Sequence, residues 1–337
     1  GMRYLITGGA GFIGSHLAER LLRDGHAVLV LDDLSTGRYD NVAALDGHPG
    51  FELRVASVTD PVIVERCVTE AQAVFHLASA VGVRLVVDQP VKTIETIVTG
   101  TDVVLRACAR YRRPILITST SEVYGKSEKS PFSESDDSVM GATTTRRWAY
   151  ACAKALDEFL ALAHWHEARL PVIVARLFNT VGPRQTGRYG MVIPRFVTQG
   201  LAGDPITVYG EGTQTRCFAH VADVVDALVR LMSHPAAIGQ VFNVGNDHEI
   251  TILELAQKVI TATGGHSLIR LIPYSQAYTA GFEDMLRRVP NLSKIRALIG
   301  YEARHGLDEI LRDVIAEQRA LLSSPGRLDS FEREESI

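Results

Sequence analysis

Short apolar runs alternate with longer amphipathic stretches through the first half of the chain. The apolar runs contain few polar residues, which is typical of strands buried on both faces of a parallel sheet. Strands are predicted at Tyr4–Thr7, Ala27–Leu31, Ala73–Leu77, Ile115–Thr118 and Val172–Ala175. Helices are predicted between them at Ile13–Arg23, Pro61–Glu70, Val91–Ala109 and Ala149–His166. This alternation predicts an α/β fold with a doubly wound parallel sheet.

The pattern changes after about Asn179, where glycine, proline and arginine become frequent. Further helices are predicted at Val192–Leu201, Ala222–Met232, Ile252–Thr263 and Leu307–Leu322. The sequence thus predicts a first domain over residues 2–178 and a smaller mixed α/β C-terminal substrate lobe over 179–322. Residues 219–245 are expected to return to the first domain. The polar and charged residues 323–337 are expected to form a flexible tail.

Composition narrows the classes of partner and compartment. The 337 residues carry a net charge of −4, so no global attraction to nucleic acid or to an anionic membrane is expected. No apolar run reaches the roughly 18 residues of a membrane span, and no signal peptide is predicted. The four cysteines are scattered without metal-ligand spacing. We therefore expect no metal site and a reducing, cytoplasmic compartment.

A glycine-rich segment follows the first predicted strand and opens the first predicted helix. Gly8, Gly11 and Gly14 permit, in turn, a tight turn, close approach to a pyrophosphate, and close packing of helix on strand. The first helical turn, at Phe12 and Ile13, offers backbone N–H groups and the positive end of the helix dipole to phosphate oxygens. The motif predicts a Rossmann-type dinucleotide site.

The second predicted strand is followed by Asp32, which is placed to bind the adenine-ribose hydroxyls. A carboxylate there repels a 2′-phosphate, so NAD is favoured over NADP, although Arg38 would weaken that preference. Other residues expected at the cofactor site are Ser35, Thr36, Gly37, Ser57, Val58, Leu77 and Ala78, together with Tyr150 and Lys154.

A candidate catalytic pair lies on the predicted helix Ala149–His166. Tyr150 and Lys154 are four residues apart and therefore share one helix face. An ammonium group near a phenol is expected to lower the pKa of the phenol, which then accepts a proton from a sugar hydroxyl as hydride leaves. Thr120 or Ser121, at the end of a neighbouring strand, is expected to bind the same oxygen.

These residues resemble the extended, nucleotide-sugar-modifying branch of the short-chain dehydrogenase/reductase superfamily, from Met2 to about Leu322. The segment 147–154, RWAYACAK, looks like the active-site helix of UDP-apiose/UDP-xylose synthases and related UDP-glucuronate decarboxylases. Segments 120–125 and 281–290 also match the decarboxylases. The resemblance implies oxidation of the sugar at C4 by NAD, loss of CO₂ from a glucuronate, and return of the hydride. It also implies a homodimer that pairs two long helices.

The resemblance assigns roles to individual residues. Catalytic residues would be Thr120, Glu122, Tyr150, Lys154 and Arg288, with Glu122 or Arg288 protonating C5. Tyr209 would pack on the base and Arg216 would clamp the diphosphate, because its planar fork meets phosphate oxygens bidentately. The expected substrate-binding set is Arg84, Ser121, Asn179, Arg188, Arg195, Tyr209, Arg216 and Arg288.

Three alternative functions stay open. The loop Ala80–Arg84 resembles that of UDP-glucuronate 4-epimerases, so a UDP-sugar 4-epimerase is the first alternative. The second is a nucleotide-hexose 4,6-dehydratase, in which Glu122 would remove the C5 proton. A non-catalytic NAD-sensing protein is disfavoured, since such proteins tend to lose the tyrosine or the lysine and both are present here.

Overall fold

The computed structural model describes residues 1–78, 88–185, 191–276 and 288–324. Its centre is a parallel sheet of seven strands in the order β3-β2-β1-β4-β5-β6-β11. These strands are β1 (Arg3–Thr7), β2 (Ala27–Asp32), β3 (Phe51–Val55), β4 (Ala73–His76), β5 (Ile115–Thr120), β6 (Val172–Leu177) and β11 (Val241–Val244). The strand order reverses between β1 and β4, which is the switch point where ligands bind in such sheets.

Both faces of the sheet are covered by helices. Alternate side chains of β1 enter two cores, with Tyr4 and Ile6 on one face and Leu5 on the other. One face packs against α1 (Phe12–Arg23), α6 (Val221–Met232) and α8 (Ser293–Ile299). The other packs against α2 (Pro61–Thr69), α3 (Pro90–Tyr111) and α4 (Trp148–Ala168). The predicted Rossmann-type α/β fold is confirmed.

The later part of the chain builds a third core. It is formed by apolar side chains of α5 (Val192–Ala202), α7 (Ile252–Ala262) and α9 (Leu307–Leu322). Three two-stranded pairs accompany these helices: β7 with β10, β9 with β12, and β8 with β13. These strands are β7 (Thr180–Val181), β8 (Ile206–Tyr209), β9 (Thr215–Cys217), β10 (Ala219–His220), β12 (Glu249–Thr251) and β13 (Ile269–Ile272).

The five strands predicted from apolar runs are all present, but the sequence pattern misses the two edge strands of the sheet. Strand β3 is only partly buried, so its residues do not form an apolar run. Strand β11 lies far along the chain and reaches the sheet by pairing with β6. Within the described ranges, no helix is long and apolar enough to cross a bilayer.

Candidate active site

The glycine-rich segment makes the turn between β1 and α1. Gly8 has φ +72°, and a Cβ atom there would lie 2.8 Å from the Ala78 backbone. A Cβ atom on Gly14 would lie 2.3 Å from the carbonyl oxygen of Gly8. Both positions therefore require glycine, the first for its backbone conformation and the second for close packing of helix on turn.

The middle glycine is packed less closely than Gly8 and Gly14. A Cβ atom on Gly11 would meet only the Gly8 carbonyl oxygen, at 3.2 Å, among described residues other than its chain neighbours. Gly11 is also the N-cap of α1 and supplies no side-chain cap. The N–H groups of the first helical turn, which includes Phe12 and Ile13, have no intrahelical partner and are therefore suited to bind phosphate oxygens.

Asp32 lies at the carboxyl end of β2, beside this turn. Its Oδ2 accepts a hydrogen bond from the Ala10 N–H at 3.0 Å, and its Oδ1 accepts one from the Leu34 N–H at 2.8 Å. Burial raises the pKa of Asp32, whereas these two N–H donors oppose the rise. A Cβ atom on Gly37 would lie 2.6 Å from Asp32 Oδ2, so that loop fits closely around the carboxylate.

The other residues predicted for the cofactor site lie on the loops that border the same sheet edge. The N–H groups of Leu77 and Ala78 donate to Thr7 Oγ1 at 3.1 and 3.3 Å. Ser57 Oγ lies 2.8 Å from Thr59 Oγ1 in the loop after β3. Of the remaining three, Ser35 and Thr36 are exposed after β2, and Val58 is buried.

Taken together, the glycine turn, the helix N-terminus and the carboxylate after β2 fit NAD. The glycine turn leads directly into the N-terminus of α1, whose first N–H groups and helix dipole suit a pyrophosphate. Asp32 lies where the ribose of a dinucleotide would reach the end of β2.

Tyr150 lies near the start of α4, buried and hydrogen-bonded to Thr120 at the end of β5. Burial raises the pKa of Tyr150, the Glu122 carboxylate raises it further, and the Thr120 hydrogen bond lowers it. The pKa of Tyr150 is therefore raised in the described residues, whereas the sequence pattern predicts a lowered pKa. The physical reason is that desolvation of the phenolate outweighs the Thr120 hydrogen bond.

Lys154 is almost fully buried one turn further along α4. Its Nζ donates to the backbone oxygen of Thr118, on β5, at 2.7 Å. Burial lowers the pKa of Lys154, while the negative charges of Asp157 and Glu158 oppose that change. The ammonium group is thus held against the strand that carries Thr120, on the same helix face as Tyr150.

Glu122 lies in a short 3₁₀ turn, Ser121–Tyr124, directly after β5. Its Oε2 lies 3.4 Å from Arg147 Nη2 and 3.8 Å from Arg288 Nη2. All three side chains are at least nine-tenths buried. Two guanidinium groups therefore face one carboxylate, a few residues from the Thr120–Tyr150 pair.

Arg288 is anchored to the same turn. It donates from Nη1 to the Ser121 oxygen at 2.9 Å and from Nη2 to the Gly125 oxygen at 2.8 Å. Its Nε is buried and has no hydrogen-bond partner among the described residues. Burial lowers the pKa of Arg288, and the Glu122 charge opposes this change.

Arg147 was not assigned a role in the sequence analysis. It directly precedes α4 and is only 1% exposed. The signal was its position in the segment Arg147–Lys154, which carries the resemblance to the decarboxylases, but nothing in the spacing indicated that Arg147 would reach Glu122.

The predicted nucleotide-binding residues lie on the C-terminal part. The guanidinium of Arg195 lies 4.5 Å from the ring centre of Tyr209, and its Nη1 donates to the Thr207 oxygen at 2.9 Å. Arg216 Nη1 donates to the Thr215 oxygen at 2.7 Å, and the positive charge of Arg216 helps to lower the pKa of Arg288.

Asn179 is exposed after β6, and its backbone oxygen accepts a hydrogen bond from the Ala219 N–H at 2.9 Å. Arg84 and Arg188 lie outside the described residues, as do the loop 80–84 and residues 281–287 of the segment that resembles the decarboxylases.

Sequence comparison identifies relatives along nearly the whole chain. Residues 5–314 match the GDP-mannose 4,6-dehydratase family. A UDP-N-acetyl-α-D-glucosaminuronate decarboxylase of Bacillus cytotoxicus is 38% identical over 93% of this chain and 96% of its own. UDP-glucuronic acid decarboxylase 1 of Danio rerio is 38% identical over 93% of this chain and 72% of its own.

Solved structures of the same fold include epimerases. A UDP-glucuronic acid 4-epimerase from Bacillus cereus, in complex with UDP-glucuronic acid and NAD, has a TM-score of 0.83 and 25% identity, covering 95% of this chain and all of its own. A UDP-glucose 4-epimerase from Thermotoga maritima has a TM-score of 0.84 and 28% identity over the same shares of the two chains. The chain therefore belongs to the GDP-mannose 4,6-dehydratase family, whose members are NAD-dependent nucleotide-sugar decarboxylases, epimerases and dehydratases.

Proposed function

We propose that this enzyme is an NAD-dependent decarboxylase of a UDP-linked hexuronate, with UDP-glucuronate as its first candidate substrate. The observation that carries the proposal is Arg288, a buried cation fixed to the turn of Glu122, whose Nε has no hydrogen-bond partner among the described residues. A buried guanidinium beside the reacting groups suits a substrate carboxylate. The relatives named as uronate decarboxylases support the same substrate class.

The first step is oxidation of the sugar at C4. The glycine turn and Asp32 would hold NAD, whose nicotinamide would supply the hydride-accepting and hydride-returning chemistry at C4. Tyr150 takes the proton of the C4 hydroxyl, and Thr120, its hydrogen-bond partner, holds the same oxygen. Lys154 supplies the positive charge on the helix face of Tyr150 that favours this proton transfer.

The second step is loss of CO₂. Once C4 is a ketone, the C6 carboxylate is β to it, so breaking the C5–C6 bond leaves an enolate whose charge rests on the C4 oxygen. Tyr150 and Thr120 stabilise that oxygen by hydrogen bonds. Arg288 orients the carboxylate before it leaves, with Arg147 on the other side of Glu122. Reprotonation of C5 is assigned to Glu122 or Arg288, either of which would pass on a proton taken up from solvent before the hydride returns.

The remaining assignments concern the nucleotide and the division of the chain. Tyr209 and Arg195 pack together and are proposed to hold the base, and Arg216 and Asn179 the diphosphate side. Residues 2–178 with 219–245 would form the cofactor domain, and 179–322 the substrate lobe. The cytoplasm is the proposed compartment, supported by four cysteines that all lie in the described ranges and form no disulfide.

A homodimer through α3 and α4 is also proposed. These helices pack side by side on the sheet, and both leave large apolar side chains in solvent. Val91 of α3 is 79% exposed, Phe159 of α4 is 74% exposed, and Leu156 of α4 is 49% exposed. Large exposed apolar side chains on two adjacent helices are consistent with a protein interface.

A UDP-glucuronate 4-epimerase is the second candidate, favoured by the loop Ala80–Arg84 and by the similar fold of the Bacillus cereus 4-epimerase.

The test is to incubate the enzyme and NAD with UDP-glucuronate and, separately, with UDP-N-acetylglucosaminuronate. Mass spectrometry and proton NMR then identify the product. A product that is lighter than the substrate by about 44 mass units, the mass of CO₂, supports decarboxylation. Unchanged mass with a new C4 configuration would replace it by epimerisation.

A further inference from the structure

A series of hydrogen-bonded, buried polar side chains runs from β1 through β4 and α3 to α4, the helix that carries the predicted catalytic Lys154. Thr7 Oγ1 lies 2.6 Å from His76 Nδ1, and His76 Nε2 lies 2.9 Å from Thr101 Oγ1. Thr101 Oγ1 donates to Asp157 Oδ2 at 2.7 Å. All four side chains are at least nine-tenths buried. This hydrogen-bond series joins the end of β1, next to the glycine turn, to α4.

In this series, each side chain from Thr7 onward can donate a hydrogen bond to the next one, ending at Asp157. Since Thr7 Oγ1 accepts from the Leu77 and Ala78 N–H groups, its own proton is available to His76 Nδ1. His76 then donates from Nε2 to Thr101, which donates to the Asp157 carboxylate. Burial and the Lys154 charge lower the pKa of His76 to about 3, so the ring is neutral, as this arrangement requires.

The series ends at the Asp157 carboxylate, of which one oxygen, Oδ2, accepts the hydrogen bond from Thr101. Asp157 Oδ1 is buried and has no hydrogen-bond partner among the described residues. Asp157 follows Lys154 by three positions on α4, so both side chains lie on the same helix face. A buried carboxylate without a second donor is costly unless it acts electrostatically on a nearby cation.

Other charged groups that face Lys154 do not replace Asp157. Glu158 is paired with Arg176, whose Nη2 lies 2.8 Å from Glu158 Oε1, and it also accepts from Ser119 Oγ. His76, on β4, is neutral, and β5 contributes the Thr118 carbonyl oxygen. Burial raises the pKa of Tyr150, and the Thr120 hydrogen bond opposes that rise.

We propose that Asp157 is a positioning residue that keeps Lys154 charged beside Tyr150, and that the Thr7–His76–Thr101 chain fixes Asp157 for this purpose. The inference rests on the proposed oxidation through Tyr150 and Lys154, and adds to it a residue outside the reacting groups. It predicts that the alkaline limit of turnover is set by the Lys154–Asp157 pair.

The direct test is Asp157→Asn, which keeps the shape and removes the charge. Without the carboxylate, Lys154 loses its proton at lower pH, so the alkaline limb of the kcat profile should move down by about one pH unit. Asp102→Asn is the matched control, because Asp102 is on α3 next to Thr101 and pairs with Arg106 at the surface. An alkaline limb that stays in place in a folded Asp157→Asn enzyme would overturn the proposal.

A second readout does not depend on activity. Burial raises the pKa of Asp157 to about 7, whereas Lys154 and Thr101 oppose the rise. A carboxyl group whose pKa is higher in the folded state than its ordinary value of about 3.9 stabilises the fold at low pH and loses that contribution as pH rises toward 7. The Tm of the wild-type protein should therefore fall relative to Asp157→Asn between about pH 4 and pH 7. If the difference in Tm between the two proteins stays constant over this pH range, the Asp157 carboxyl group does not ionise there with a raised pKa.

These readouts separate failure of the inference from failure of the proposed function. If the wild-type enzyme converts no uronate, the proposed function fails, whatever the Tm comparison shows. Coupling can then still be measured by the double variant Lys154→Met with Asp157→Asn, whose loss of stability should be smaller than the sum of the two single losses. Additive losses would show that Asp157 does not act on Lys154, and the inference alone would be wrong.

Discussion

Tyr150 is surrounded by groups that oppose ionisation of its phenol, because it is buried and faces the Glu122 carboxylate. Its hydrogen bond with Thr120 is the described contact that favours the phenolate. We therefore expect proton transfer to Tyr150 to depend on the positive charge of Lys154, which lies on the same helix face. The charge balance around the phenol, rather than the tyrosine alone, is what a functional account of this residue must explain.

Replacing Tyr150 by phenylalanine should lower turnover on the order of 10³-fold while sparing NAD binding, because the ring is kept and only the hydroxyl is lost. The measurement is kcat together with NAD affinity from fluorescence titration. Turnover close to that of the wild-type enzyme would remove Tyr150 from the mechanism.

Arg288 provides a second test at the scale of one residue. Arg288→Met removes a buried cation that holds two carbonyl oxygens, and kcat/KM for UDP-glucuronate should fall by roughly 10²-fold or more. Arg288→Lys keeps the charge but loses the planar fork, so an intermediate loss is expected. Kinetics with both variants, with Tm as a check on folding, decides the point. Equal activity of all three proteins would exclude a role in carboxylate binding.

The positions of candidate site residues could be predicted from sequence where the signal is local. Gly8, Gly14 and the pair Tyr150–Lys154 act through spacing along one turn or one helix, and the structure places them as that spacing requires. Arg147 was missed, because its contact with Glu122 depends on how α4 meets the end of β5. The direction of the Tyr150 pKa was also missed, since desolvation is set by tertiary burial.

At the scale of elements, the turn between β1 and α1 depends on close packing at Gly14. Gly14→Ala should bring its Cβ into the Gly8 carbonyl oxygen and cost about 1–3 kcal/mol of stability, with loss of NAD affinity because the turn shifts. Gly306→Ala is the control, since a Cβ atom there meets nothing within 4 Å. Chemical denaturation and NAD titration measure both effects. Unchanged NAD affinity in Gly14→Ala would contradict the proposed pyrophosphate site.

The position of Arg288 depends on an element contact that sequence reasoning could not provide. The next residue, Val289, accepts a hydrogen bond from the Phe132 N–H at 2.8 Å, and the Asn291 N–H donates to the Phe132 oxygen at 2.8 Å. Asn243, on β11, donates to Phe132 O and accepts from the Tyr124 hydroxyl. This pairing joins segments far apart in the chain. The edge strand β11 was missed for the same reason, because it reaches the sheet only through tertiary pairing.

At the scale of the whole molecule, the exposed apolar side chains of α3 and α4 predict a two-fold dimer. Phe159→Glu should place a charge in that interface and convert the dimer to a monomer. Leu268→Glu is the matched control, because Leu268 is 78% exposed on the C-terminal part. Light scattering coupled to size-exclusion chromatography measures the mass of each. A wild-type protein that is monomeric, or a dimer unaffected by Phe159→Glu, would contradict the proposed interface.

The central claim, decarboxylation of a uronate through a C4 ketone, is tested most directly with UDP-glucuronate labelled with ¹³C at C6. The account predicts that, with NAD present, the labelled carboxylate signal disappears and labelled CO₂ or bicarbonate appears in the ¹³C NMR spectrum, at the rate of product formation. Retention of the label in a product of unchanged mass would contradict decarboxylation and assign the enzyme to 4-epimerisation.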